Sequence, residues 1–117
     1  MSAGTDPPQT IGVAGAGTMG AGIAQLACLS GARTLLHDPA GEALEAGLER
    51  IRAQLKRGVE RGRLSAEQAD AASARLVAAP GLEDLSDAEL VIEAAPERLE
   101  LKRALFAKLS DGIVDED

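Results

Sequence analysis

One cysteine, one histidine, one phenylalanine and no tyrosine or tryptophan occur among the 117 residues. A lone Cys28 excludes an internal disulfide framework and a cysteine-based metal cluster. A lone His37 excludes metal motifs built on paired histidines. The shortage of aromatic rings rules out base stacking as a binding mode. Positive charge is scarce as well, with 12 basic residues against 19 acidic ones and a formal net charge of −7. That balance disfavours nucleic acid and anionic lipid as partners, so neither nucleic acid nor membrane is expected. No apolar run approaches the roughly 20 residues of a membrane helix, and the start lacks a charged-then-apolar leader. A cytoplasmic location is the expectation. Anionic small molecules stay open, because a local positive field can sit on an acidic protein.

What is present suits one globular domain. The chain is 45% hydrophobic and 26% charged, which argues against disorder. A domain of this length buries roughly two thirds of the surface its unfolded chain exposes. Residues 1–9, with Gly, Thr, Asp and two prolines, read as a disordered or extended lead-in, and residues 10–117 as the domain. Thr10–Ala14 is a short apolar run bounded by glycines and suits a buried strand. After the turn over 15–20, Ile23, Leu26, Ala27 and Ser30 keep a helical spacing, and Gly31 supplies a stop. Arg33–His37 reads as a second strand, ended by Asp38 and Pro39. Residues 41–63 form the longest helical segment, with Leu44, Leu48, Ile51, Leu55 and Val59 in one apolar stripe. Ser65 and Gln68 make a capping-box pattern that opens a helix running to about Arg75. A short strand over 76–79, a turn over 84–87, a strand over 89–93 and an amphipathic helix over 97–109 complete the pattern. That last helix would turn Leu101, Leu105, Phe106 and Leu109 inward. Strands alternating with helices predict a parallel α/β sheet with helices on both faces.

The strongest chemical signal is Gly15-x-Gly17-x-x-Gly20, directly after a strand and opening a helix. Gly15 permits the tight turn, Gly17 lets a pyrophosphate approach the backbone, and Gly20 lets the helix pack close on the sheet. The helix then aims unpaired N–H groups and the positive end of its dipole at the phosphates. Alone this pattern is weak in a chain with 13 glycines. Asp38 strengthens it, lying about 20 residues on at the end of the second strand, where an acid accepts the ribose hydroxyls of the adenosine half. The plainer role for Asp38 is a helix cap before Pro39. A carboxylate there repels a 2′-phosphate, and no arginine follows it, so NAD is favoured over NADP.

Further residues are more particular. The stretch from Ile11 to Gln25, the long helix ending in Glu60-Arg-Gly-Arg-Leu64, and Asp87-Ala-Glu-Leu-Val-Ile-Glu-Ala-Ala-Pro-Glu97 followed by Leu101-Lys102 and Leu105-Phe106 resemble the N-terminal NAD-binding domain of L-3-hydroxyacyl-CoA dehydrogenases. That group includes 3-hydroxybutyryl-CoA dehydrogenases. The resemblance spans nearly all of residues 10–110 and implies a Rossmann-type fold that oxidises L-3-hydroxyacyl-CoA to 3-oxoacyl-CoA with NAD, in fatty-acid metabolism. It implies that Gly15, Ala16, Gly17, Thr18, Met19 and Gly20 hold the pyrophosphate and that Asp38 holds the adenosine ribose. Glu97 and Lys102 match positions that contact the nicotinamide half. Lys102 sits roughly 7 Å beyond Glu97 at helical rise; its plainer role is a solvated helix lysine.

The long helix is the second particular feature. Arg50, Arg52, Lys56, Arg57, Arg61 and Arg63 are half of the chain's basic residues. Residues 50, 57 and 61 are expected near one helix face and 52, 56 and 63 near another. In the resembled family this helix touches coenzyme A, and Gln54 and Arg61 align with its contact positions. The family tends to carry Ser and Lys there; Arg still grips a phosphate, while Gln keeps hydrogen-bonding capacity only. The plainer alternative is a salt-laced surface helix with Glu42, Glu45, Glu49 and Glu60 as neighbours. Cys28 reads as core filler. His37 stands beside the cofactor acid but is rejected as a catalytic base, because the resembled family places its His–Glu pair beyond a fifth strand.

The resemblance also implies what these residues lack. The chain is expected to stop before the fifth strand, the catalytic His–Glu pair, the substrate-contacting Ser and Asn, and the helical C-terminal domain through which the complete enzyme dimerises. The expectation is therefore a cofactor domain, inactive alone, whose fourth strand lies beside the first and exposes an apolar edge open to self-association. A stand-alone dinucleotide-binding module without catalysis is the alternative reading. A 6-phosphogluconate-type oxidoreductase fits the glycine turn but not Glu97 with Lys102.

Overall fold

The computed structural model describes residues 9–94. The expected helix over 97–109, the polar tail and lead-in residues 1–8 lie outside that range. Eight elements run along the described chain: β1 (Thr10–Ala14), α1 (Thr18–Ser30), β2 (Arg33–His37), α2 (Gly41–Glu60), α3 (Ala66–Arg75), β3 (Leu76–Ala78), a 3-10 helix (Leu82–Asp87) and β4 (Leu90–Glu93). Gln9 is already tied in: its N–H donates to Glu89 Oε1 at 2.6 Å and its carbonyl accepts from Arg33 N–H at 2.8 Å.

The strands form one parallel sheet in the order β3-β2-β1-β4. β1 is central among them, and Ile11, Gly12, Val13 and Ala14 are all buried. An uninterrupted apolar run is what a strand covered on both faces requires. Ala14 stands opposite both His37 and Glu93, so the carboxyl ends of three strands meet at one edge. Strand order reverses on passing from β1 to β4, which makes this edge the topological switch point where ligands settle in open α/β sheets.

The two faces are filled differently. On one, Ile11, Val13 and Leu36 pack against α1, α2 and α3, with Ala24, Cys28, Leu48, Ile51, Leu55 and Ala72 buried among them. On the other, Ala14, Leu35 and Ala79 gather around Leu85 of the 3-10 helix. Helices on both faces are therefore seen, among the described residues, as three α-helices on one side and one short 3-10 turn on the other.

Each helix forms for a local reason. Leu44, Leu48, Ile51 and Leu55 are the buried face of α2, and burying each contributes about 1.5–3 kcal/mol. In α3 the Gln68 N–H donates to Ser65 Oγ at 3.0 Å and the Ser65 N–H donates to Gln68 Oε1 at 2.8 Å, the reciprocal capping box. α2 stops at Glu60, short of the expected 63. Gly62 takes φ +75, its N–H reaches Val59 O at 3.0 Å and the Arg63 N–H reaches Gly58 O at 2.8 Å. Such a left-handed glycine closes a helix by satisfying its last carbonyls. α1 ends the same way at Gly31. It has no basic residue in its last turn, and Arg75 of α3 supplies that charge by donating to Cys28 O at 2.8 Å.

Candidate functional site

The turn between β1 and α1 is shaped by what its glycines exclude and admit. Gly15 takes φ +115, a conformation that side chains rarely tolerate, and its N–H donates to His37 O at 2.7 Å. A Cβ on Gly20 would overlap the Gly15 carbonyl. Gly20 thus protects the turn itself, a closer constraint than the helix-to-sheet packing expected for it. Gly17 is the opposite case: a Cβ there meets nothing within 4 Å among the described residues. The turn is empty only at its middle glycine.

The helix start is correspondingly open. Gly17 is the N-cap of α1, no side chain caps it, and no acid stands in the first turn. Thr18 and Met19 are exposed, whereas Ala16 is buried. The first N–H groups of a helix lack partners inside it and favour an anion.

Asp38 sits at the end of β2, half-buried. Its Oδ2 accepts the Ala16 N–H and its Oδ1 accepts the Ala40 N–H, both at 2.9 Å. Asp38 is not the helix cap of the plainer reading, since Ala40 is the N-cap of α2 and no side chain among the described residues caps it; the carboxylate instead braces the approach to α2 and the glycine turn. Each oxygen still has a lone pair for a hydroxyl group. These features fit a dinucleotide: open space over a backbone turn, uncapped donors, and an acid at the neighbouring strand end.

Other candidates fall in different places. Gln54 and Arg61 line one cavity of about 220 Å³ together with Gln25, Arg57 and Arg63. Arg61 and Arg63 lie beyond the last helical turn, so the expected faces of residues 50, 57 and 61 and of 52, 56 and 63 do not form. The turn at Gly62 instead gathers Arg57, Arg61 and Arg63, while Arg52 and Lys56 border a separate cavity of about 390 Å³ against α3. Glu97 and Lys102 lie outside the described residues. Among those described, no cluster of three metal-ligating side chains occurs, and no helix is long and apolar enough to cross a membrane.

One residue was not singled out by sequence reasoning. A Cβ on Gly47 would lie 2.8 Å from Ala16 O and 2.9 Å from Ala16 Cβ, so α2 passes directly against the glycine turn. The available signal was a glycine within the apolar stripe of a strong helix. His37 is buried, and its Nδ1 lies 2.8 Å from Ala79 O. Cys28 is fully buried, as expected of core filler, and burial pushes its thiol up from the ordinary range.

Fold and site together define a dinucleotide-binding α/β domain of the Rossmann type. The sequence model of the 3-hydroxyacyl-CoA dehydrogenase NAD binding domain matches residues 10–117, and the chain belongs to that family. Its cofactor is accordingly NAD. Among relatives, a 3-hydroxyadipyl-CoA dehydrogenase of Escherichia coli is 48% identical over 103 residues, 88% of this chain and 22% of that protein. A 3-hydroxybutyryl-CoA dehydrogenase of Mycobacterium tuberculosis is 38% identical over 113 residues, 97% of this chain and 40% of that protein. The crystal structure of a 3-hydroxybutyryl-CoA dehydrogenase from Escherichia coli superposes with a TM-score of 0.86 at 45% identity, covering 92% of this chain and 23% of the other. The chain thus spans between about a fifth and two fifths of the length of these proteins.

Proposed function

We propose that the chain supplies the cofactor-binding part of an NAD-dependent 3-hydroxyacyl-CoA dehydrogenase, oxidising an L-3-hydroxyacyl-CoA to the 3-oxoacyl-CoA in fatty-acid metabolism. Residues 10–117 act as one NAD-binding domain. The observation that carries this reading is the open start of α1 over Gly17, with Asp38 at the adjoining strand end. The backbone of Gly15, Ala16, Gly17, Thr18, Met19 and Gly20 receives the pyrophosphate, and Asp38 receives the adenosine ribose. Glu97 and Lys102 take the nicotinamide half. When bound, the nicotinamide supplies the hydride acceptor; these residues bind and orient it.

Gln54 and Arg61 are assigned to coenzyme A. Their shared cavity with Arg57 and Arg63 supports this, since guanidinium groups are suited to phosphate. His37 is buried, at 5% exposed, which supports its exclusion as a general base. These 117 residues therefore bind NAD without turnover. The complete enzyme acts on acyl-CoA in the cytoplasm as a homodimer, and the isolated chain self-associates through the edge of β4, where Leu90 is exposed.

Calorimetric titration with NAD and NADP tests the site. Asp38→Ala is expected to weaken NAD binding by roughly tenfold, the worth of a hydrogen bond to a charged group, and to narrow the preference over NADP. Unchanged selectivity removes Asp38 from this role. Reduction of acetoacetyl-CoA by the chain alone is expected to be undetectable; measurable turnover overturns the assignment of inactivity.

A further inference from the structure

His37 is the chain's one imidazole, and the function proposed above leaves it without a task. It is 5% exposed. Its ring nitrogen Nδ1 lies 2.8 Å from the carbonyl of Ala79, 42 residues away in sequence. A carbonyl only accepts, so Nδ1 carries the proton. The same residue's backbone carbonyl accepts the Gly15 N–H at 2.7 Å. The next residue is Asp38, whose carboxylate holds the Ala16 and Ala40 N–H groups. His37 therefore joins the glycine turn, the acid and the chain leaving β3.

The junction lies where the ladder runs out. Leu36 is the last β2 residue paired with β3, opposite Ala78, and the Ala79 N–H still donates to Leu36 O at 2.8 Å. Pro80 follows and has no N–H to continue. Ala79 is 1% exposed, so its carbonyl needs a donor inside the protein. The His37 ring is that donor. One residue on, the Asp38 carboxylate is turned to the glycine loop, where it accepts the Ala16 N–H.

We propose that His37 is a positioning residue for the adenosine half of the dinucleotide. Its ring pins Ala79 and Pro80 to the end of β2, giving the edge that carries Asp38 a fixed second wall for an adenine nucleotide. This rests on the reading of Asp38 as the ribose-binding acid.

Two measurements test it. Because the chain has one histidine, its ring gives a single, assignable set of imidazole ¹⁵N signals. In the unaltered protein with the ring neutral, these are expected to report the Nδ1–H form and to shift on addition of ADP-ribose but not of nicotinamide mononucleotide. The Nε2–H form, or no response to ADP-ribose in a protein that binds it, overturns the proposal. The second measurement compares His37→Asn, whose amide can place an N–H where Nδ1 stood, with His37→Gln, whose amide reaches past it. The affinity for ADP-ribose, read well below each variant's melting midpoint, is expected to stay within about twofold for Asn and to fall roughly tenfold for Gln. Equal affinities for both variants and the unaltered chain overturn the role of His37 alone. An unaltered chain that binds neither NAD nor ADP-ribose overturns the nucleotide site with it.

Discussion

Two helices of this domain begin in opposite ways. α3 is closed by its own residues, with Ser65 and Gln68 each satisfying the other's backbone N–H. α1 begins at a glycine with no acid in its first turn and, among the described residues, no side-chain cap and nothing within 4 Å of where its Cβ would stand. A closed start stabilises the fold by about 1 kcal/mol. An open one forgoes that and leaves donors for an anion. The surroundings differ in the same sense. The open start is held by constraints just outside it, through Asp38 on Ala16 and Gly20 beneath Gly15. The binding surface is thus bare while the frame behind it is tightly packed.

Substitutions at the two starts test this contrast. The largest effect is expected from Gly20→Ala, whose methyl overlaps the Gly15 carbonyl and deforms the turn. It should cost about 2–3 kcal/mol or more in chemical denaturation and abolish NAD binding, as overpacking against backbone does. Next is Gly17→Val, whose Cβ meets no neighbour among the described residues and whose backbone is already extended. NAD binding should fall by about a hundredfold or more through the blocked approach of the pyrophosphate, with stability held within about 0.5 kcal/mol. A large loss of stability there would show that the space over Gly17 belongs to the fold. The smallest effect belongs to Ser65→Ala, expected to cost about 1 kcal/mol with NAD affinity unchanged. A change in affinity would erase the distinction between the two helix starts.

Much of this frame was legible in the residues. Thr10–Ala14 and Arg33–His37 emerge as read, because apolar runs bounded by glycine or proline leave few alternatives. The capping box at Ser65 is a local exchange between residues three apart and needs no distant partner. The end of α2 was missed by three positions. Its stripe and charges continue past Glu60, and only the left-handed turn at Gly62 stops the helix. The same turn decided which arginines face one cavity, so helical spacing alone misgrouped them. The second bond of Asp38, the close pass of Gly47 and the reach of Arg75 to Cys28 join residues 22, 31 and 47 positions apart. No spacing rule covers such contacts.

By itself the sequence determined the order of strands and helices, the glycine turn and its acid, and the family to which they belong. These follow from backbone freedom, hydrophobic period and short-range capping, all properties of neighbouring residues. Tertiary structure decided how the site is held: Asp38 against Ala16, α2 against the turn at Gly47, and His37 against Ala79. Those contacts exist only once parallel strands bring their carboxyl ends to one edge, because a parallel sheet joins segments that the chain itself keeps far apart.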